Sequence, residues 1–438
     1  MSADSSTGCD IVGGHRPPLQ TGVRWKIFFV LLSLVAINYI DRASLSVAMP
    51  LIAKEFDLDP AMQGLILSSF FWTYALMQVP GGMMADRFKP RIVIASAAVF
   101  WGACQGIAGL STSAAGLLLA RLGLGAAEAP IFPAGGKLNS IWMTQNERGR
   151  GATLLDSGAP LGAALGAVII AWLIGALGSW RMAFIVAGAG TVLAGLYAWY
   201  FIRNNPREHS SVNEAEALYI ERACEIELSQ QPAKISGKSL DLFKHRSVWV
   251  MFFGYMCANV VFYGLLTWMP NYLSEVHGLD IKQMGGATFI IFLSGFAGEL
   301  VGGYFSDKWK SLGGSPNKVM RTLLGFASIV VTVAVFSVAY TRGAVLTVVL
   351  LSITLFFQRW TGLYWSIPSI LGTRDKVGLL GGTMNLGGNI GGVLAPLAVG
   401  LIVQMTGSYF LALMVFAGAG IGLFLCSTSI NYEKKLPV

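Results

Sequence analysis

QVPGGMMADR (Gln78–Arg87) and ELVGGYFSDK (Glu299–Lys308) carry one pattern twice: Gly-Gly-x-x-x-Asp followed by a basic residue. Each copy closes an apolar run long enough to cross a bilayer as a helix. Paired small residues let two helices approach closely in a membrane. The acid then falls at a helix C-terminus, where it is unfavourable unless the adjacent base offsets it. Asp86 with Arg87, and Asp307 with Lys308, are therefore expected to act as charge latches that gate one end of the helices. Two copies at matched positions also predict a chain built from two similar halves.

Working outward, 54% of the 438 residues are hydrophobic and only 12% are charged, against about 25% charged in soluble domains. Twelve helical spans are predicted, at about 26–49, 63–84, 92–110, 114–136, 151–174, 182–202, 248–271, 283–306, 322–340, 344–370, 378–402 and 407–429. The fold class is all-α integral membrane, two six-helix bundles in a 6+6 pseudo-repeat. The polar stretch 203–247 reads as a linker, partly helical around Ser211–Ser229, between bundles 25–202 and 248–430. Tails occupy 1–24 and 431–438. The first apolar run is too long for a signal peptide, so no cleaved leader is expected.

The net charge of +8 is not a nucleic-acid signal. Of the 31 Lys and Arg, 24 fall on the side that holds both termini. Four (Lys54, Arg181, Lys282 and Arg342) fall on the other side. That asymmetry predicts cytoplasmic termini in a bacterial inner membrane. The five cysteines lack metal-ligand spacing and all four histidines lie outside the spans, which argues against a metal centre or a membrane enzyme. The glycine runs Gly158–Gly166 and Gly381–Gly392 have no following Lys-Ser/Thr, so they are expected to pack mobile helices across the two halves rather than hold phosphate.

Seven ionisable residues lie inside the spans: Asp41, Arg42, Arg121, Glu128, Asp156, Glu299 and Arg359. Each costs ~2.5–3.5 kcal/mol at the centre of a membrane helix even on the lenient scale, so such residues are usually functional. Asp41 and Arg42 are about 100° apart on one helix, which divides their partners. Arg121 and Glu128 lie two turns apart on one face. An arginine fork suits a carboxylate, and a carboxyl in a dry site can hold a proton at neutral pH.

The spans, the 6+6 division and the doubled motif resemble the major facilitator superfamily. Four stretches narrow this: Asn38-Tyr39-Ile40-Asp41-Arg42; Phe71-Trp72-Thr73-Tyr74 with Gln78-Val79-Pro80-Gly81-Gly82; Arg121 through Glu128-Ala129-Pro130-Ile131-Phe132-Pro133; and Leu266 through Tyr272. They resemble the anion:cation symporter family, which includes bacterial galactonate, glucarate and hexuronate symporters and the animal sialic-acid and vesicular glutamate carriers. The resemblance implies proton coupling at Asp41 and Glu128 and a substrate region containing Arg42 and Arg121. It also implies cavity positions at Trp365, Ser366 and Asn385.

Three charged positions lie outside those implied roles, and two of them, Asp156 and Arg359, depart from the family's galactonate symporters, as does Ala159, which stands where they have a cavity glutamine. Asp156 stands where they have a neutral hydroxyl residue, Glu299 takes the place of Gln78 in the repeat, and Arg359 is an extra cation. Arg359 is expected to contact a second substrate carboxylate or to pair with Glu299. Tyr39, Tyr74, Gln78, Asn259, Tyr263, Trp365, Ser366, Ser369 and Asn385 complete a set of polar groups suited to a polyol chain. The expectation is a monomeric, proton-coupled importer of an organic anion, a sugar acid first. It needs no cofactor beyond protons and no partner beyond substrate and lipid. An efflux antiporter, a carrier of aromatic or tartrate-like acids and a receptor without flux are the alternatives.

Overall fold

The computed structural model describes residues 20–144, 147–229, 239–372, 377–434 and 436, and these are almost wholly helical. The first six transmembrane segments are α1 (Val23–Phe56), α2 (Pro60–Arg87), α3 (Pro90–Gly109), α4 (Ala114–Glu128) with α5 (Ile131–Trp142), α6 (Arg148–Leu177) and α7 (Trp180–Phe201). The linker folds as α8 (Glu214–Ser229). The second six are α9 (Arg246–His277), α10 (Ile281–Ser311), α11 (Pro316–Ala339), α12 (Ala344–Gln358) with α13 (Ile367–Leu371), α14 (Val377–Thr406) and α15 (Phe410–Ser429). Eleven segments among the described residues are long and apolar enough to cross a membrane. The remaining one, α2, is 28 residues long but more polar. Its Gln63, Ser68 and Ser69 are buried inside the bundle rather than turned to lipid.

Two spans expected as single helices are broken. At Ala129-Pro130 the fourth segment passes from α4 to α5, because proline cannot donate the next helical bond. At Arg359–Ser366 the tenth passes through a 3₁₀ stretch before α13. Both breaks sit beside charged residues of the candidate site.

Glycine contacts show the internal repeat in three dimensions. In the first half α1 packs on α6 through Gly158 and Gly162, α3 on α7 through Gly102 and Gly195, and α2 on α4 through Gly125. In the second half α9 packs on α14 through Gly387 and Gly391, α11 on α15 through Gly420, and α10 on α12 through Gly298. The same pairing recurs: first with fifth, third with sixth, second with fourth. The glycines of α6 and α14, expected to work across the halves, therefore mostly close each half on itself. A Cβ at Gly162 would stand 2.2 Å from the Ala36 carbonyl, so only glycine permits that approach. In the doubled motif it is the first glycine of each pair that packs: Gly81 against Pro130 and Gly302 against Trp360.

The linker helix belongs to the first half. Glu216, fully buried on α8, accepts from Thr21, from the Val23 and Arg24 backbone amides and from the Arg24 guanidinium. It thus supplies the cap that the orphan amides at the start of α1 require, with the sign the helix dipole favours. Arg24 also reaches Glu147 at 3.0 Å. Burial alone would raise the Glu216 carboxyl, but these hydrogen bonds outweigh it and hold the group below the usual carboxylate range. A carboxyl lowered on folding stabilises above its unfolded pKa, and that contribution is lost as pH falls through the folded value. Glu216→Gln is predicted to weaken the docking of α8 by ~1.5–3 kcal/mol, read as at least about tenfold faster proteolysis within α8. In the parent chain the same site opens to protease only as pH falls below the usual carboxylate range.

Candidate functional site

The core of the first half holds four of the seven predicted charges. Arg42, on α1, points its guanidinium between α2 and α4. Its Nε donates to Glu128 Oε2 at 3.0 Å, and its Cζ lies 4.6 Å from the Tyr39 ring, 4.4 Å from Phe70 and 4.6 Å from Tyr74. Three aromatic faces around one desolvated cation contribute ~0.5–2 kcal/mol each. The Arg42 Nη1 and Nη2 are buried and have no hydrogen-bond partner, and neither does Glu128 Oε1. Buried donors of this kind are costly to leave unpaired, so the edge they form is suited to an anionic ligand.

Glu128 is the last residue of α4, and the Ala129-Pro130 break leaves it at the mouth of a helix end. Arg121, two turns earlier, donates to the Asp41 backbone carbonyl at 3.4 Å, with its Cζ 5.4 Å from the same Phe70 ring. The acid on the Arg121 face therefore pairs across to α1 rather than along α4. Asp41 points the other way. Its Oδ2 accepts from Trp101 Nε1 at 3.0 Å and from Thr191 Oγ1 at 2.9 Å, while Oδ1 is buried without a partner. Trp101 and Thr191 were not singled out in the sequence; a lone Trp or Thr in an apolar span carries no signal of its own.

Tyr39 and Tyr263 bring the two halves together at this level, their hydroxyls 3.5 Å apart. Tyr74 is buried and stacked on Phe70, and Gln78 is half-buried with an unpartnered amide nitrogen. Asn259 donates to the Tyr255 carbonyl within its own helix. Trp365 is 43% exposed, edge-on to Tyr255, and Ser366 donates to the Leu363 carbonyl in the 3₁₀ stretch. Asn385 is half-buried on α14. The Ser369 side chain lies outside the described residues.

A second charged group straddles the halves. Arg359 Nη2 donates to Glu299 Oε2 at 2.7 Å and stands 3.7 Å from Asp156 Oδ2, with the Phe262 ring 5.0 Å from its Cζ. Of the two partners expected for Arg359, the structure supplies Glu299. At the helix ends beyond, Asp307 and Lys308 are exposed, with Lys308 Nζ 5.5 Å from the Tyr304 ring. Arg87 is exposed beside Phe88, and the Asp86 side chain lies outside the described residues. Among the described residues no group of His, Cys, Asp and Glu could hold a metal.

A family model described as Major Facilitator Superfamily matches residues 31–396. The chain belongs to the major facilitator superfamily. It is a membrane transporter, as its relatives are. It is 32% identical over 413 residues to a probable galactarate/D-glucarate transporter of Bacillus subtilis, covering 91% of this chain and 90% of that one. It is 34% identical over 412 residues to a probable sulfoacetate transporter of Cupriavidus necator, covering 93% and 94%. The D-galactonate transporter of Escherichia coli is 28% identical, covering 87% and 89%. The crystal structure of a bacterial homolog of the human lysosomal transporter Spinster, inward-facing and occupied, matches the fold with a TM-score of 0.75 at 18% identity, covering 95% of this chain and 99% of that one. The resemblance to sugar-acid carriers thus has full-length relatives behind it.

In this major facilitator chain the two halves meet at the end away from the termini. Asn271 donates to Gln63 at 2.7 Å, a Cβ on Gly400 would stand 2.5 Å from the Pro60 carbonyl, and one on Gly285 would stand 2.7 Å from Ala171. Gly64 faces the Pro396 carbonyl, where a Cβ would lie at 2.6 Å. Gly64→Ala is therefore predicted to make this closure unfavourable by ~1–3 kcal/mol. The readout is a longer mean distance between spin labels at Leu110 and Tyr340, on the far-end turns of the two halves.

Proposed function

We propose that this chain is a proton-coupled symporter that imports a sugar acid, with the aldarates as the first candidates, by alternating access. We place it in a bacterial inner membrane with both termini in the cytoplasm. The observation that carries the proposal is the Arg42 guanidinium, held by Glu128 on one edge and by three rings on its faces, with its remaining donors buried and unbonded.

The electrostatics favour proton coupling. Asp41, Glu128, Arg42 and Arg121 sum to no net charge, so a carboxylate arriving at Arg42 adds an uncompensated negative charge in a dry site. Taking up a proton at Glu128 cancels it and also frees Arg42 from its ion pair. Substrate binding and protonation then favour each other, which is the linkage a symporter needs. Asp41, tied to Trp101 and Thr191, is the second proton acceptor in this reading. Arg121 fixes α4 against α1 and adds positive potential. Tyr39, Tyr74, Gln78 and Tyr263 offer hydroxyls and an amide to the polyol chain. The sugar-acid transporters among the relatives support the substrate class.

The test is uptake into proteoliposomes under an inward proton gradient, comparing D-glucarate, galactarate, D-galactonate, tartrate and sulfoacetate. One sugar acid is expected to accumulate with the gradient. Glu128→Gln should abolish accumulation while sparing exchange of internal for external substrate. Arg42→Gln should weaken substrate binding about a hundredfold or more, since it removes the charged partner of a buried pair. Accumulation that persists in Glu128→Gln sinks the coupling scheme, and binding without flux points to a receptor.

A further inference from the structure

The mechanism above leaves Asp156, Glu299 and Arg359 without a task. Two carboxylates converge on one guanidinium nitrogen, Glu299 at 2.7 Å and Asp156 at 3.7 Å. One arginine neutralises one of them, and the trio retains a net negative charge largely out of water. The members differ in how they are held. Glu299 and Arg359 belong to helices locked in one half: a Cβ on Gly298 would overlap the Phe356 carbonyl at 2.0 Å, and one on Gly302 would meet Trp360 at 2.8 Å. Asp156 belongs to α6, which Gly158 and Gly162 lock onto Leu32, Val35 and Ala36 of α1. The Asp156–Arg359 contact therefore joins two rigid bodies and can break without rearranging either.

Its position matters too. Along α6, about 22 Å of helix separates Asp156 from Ala171, where Gly285 seals the far end. Asp156–Arg359 stands on the terminal side of that seal, where rocking of one half against the other changes the separation most. The charged and titratable groups facing Asp156 are Arg359, Glu299 and Tyr255. By contrast, Asp41 and Glu128 make their side-chain contacts within the first half, so protonating them removes no ion pair between the halves.

We infer that Asp156 is a third proton-carrying carboxyl, and that its ionisation state makes or breaks an ion bridge between the two halves. Ionised, Asp156 is drawn to Arg359 and restrains the terminal side. Protonated from water on that side, it loses its attraction to Arg359 and keeps only a hydrogen bond to Glu299, a weaker tie that lets the halves part more readily. The consequence for transport rests on the symport reading above; the bridge itself does not.

The full-length chain, with its five cysteines replaced and spin labels at Lys89 and Leu312, is reconstituted without substrate, and the distance between the terminal-side turns is followed from about pH 8 to about pH 5. The short-distance population is expected to fall at least about twofold on acidification. Asp156→Asn should show the long distance throughout, and Asp156→Glu should restore the response. Arg359→Gln, which leaves Asp156 and Glu299 facing each other without a cation, should show the long distance at about pH 8 and no lengthening on acidification, and serves if Asp156→Asn fails to fold. A parent distance that ignores pH overturns the inference, as does an Asp156→Asn chain that responds like the parent. In the transport assay, Asp156→Asn should lower the proton-to-glucarate ratio by one. If the parent takes up none of the acids tested, the symport reading fails while the distance measurement still decides the bridge.

Discussion

A charge that must live in hydrocarbon needs a partner, and that constraint organises this molecule. Asp41, Arg42, Arg121, Glu128, Asp156, Glu299 and Arg359 are each costly alone at this depth. The fold spends its tightest packing on bringing them together. Gly125 lets α4 approach Phe70 and Thr73 of α2, and Gly81 lets α2 approach the Pro130 break that ends α4 at Glu128. Without those two approaches Arg42 could not lie in the Tyr39–Phe70–Tyr74 box and still reach Glu128. The helix packing and the charge pairing are therefore one problem with one solution.

Much of the architecture was legible in the sequence, because a membrane leaves a backbone few options. Each apolar run must be a helix with its amides satisfied internally, so the spans and the linker between them follow from hydropathy, while the helix near Ser211–Ser229 follows from its own residue pattern. The repeat at Gly81 and Gly302 located the second-helix counterpart in each half. What hydropathy could not give was rotation. Arg121 and Glu128 share a face by spacing, yet Glu128 turns to Arg42, because the choice depends on how α4 sits against α1. The breaks at Pro130 and Arg359 were missed as breaks for a related reason: flanking apolar residues hide a change of helix type. Nor does glycine composition tell which neighbour a glycine faces. Gly158 and Gly162 serve α1, whereas Gly64, Gly285, Gly392 and Gly400 meet the other half.

The pairing within the halves explains how a structure this tightly packed can still move. The first–fifth, third–sixth and second–fourth contacts rest on carbonyl and Cα approaches that tolerate no added atom. Such surfaces behave as units rather than as deformable solids. Contacts between halves are equally close but gathered toward one end: Gly64, Gly285 and Gly400 seal it, with the Gln63–Asn271 amide pair beside them, while Tyr39–Tyr263 and Asp156–Arg359 are the longer contacts beyond. Rigid bundles sealed against each other toward one end are what rocking access around a central site requires.

The charge distribution then separates two tasks that one cluster could not perform together. The Arg42–Glu128 group is neutral as it stands and lies wholly within one half, so it can answer to an arriving anion without disturbing the seal between halves. The Arg359 group carries an excess negative charge and spans both halves, so its energy depends on their separation. A ligand shifts a conformational equilibrium only through its differential interaction with the two states. In the proposed scheme a proton at Glu128 changes affinity for an anion, whereas a proton at Asp156 changes the distance the halves prefer. Two carboxyls on opposite sides of that division would let such a carrier couple loading and reorientation through the proton without either group having to do both.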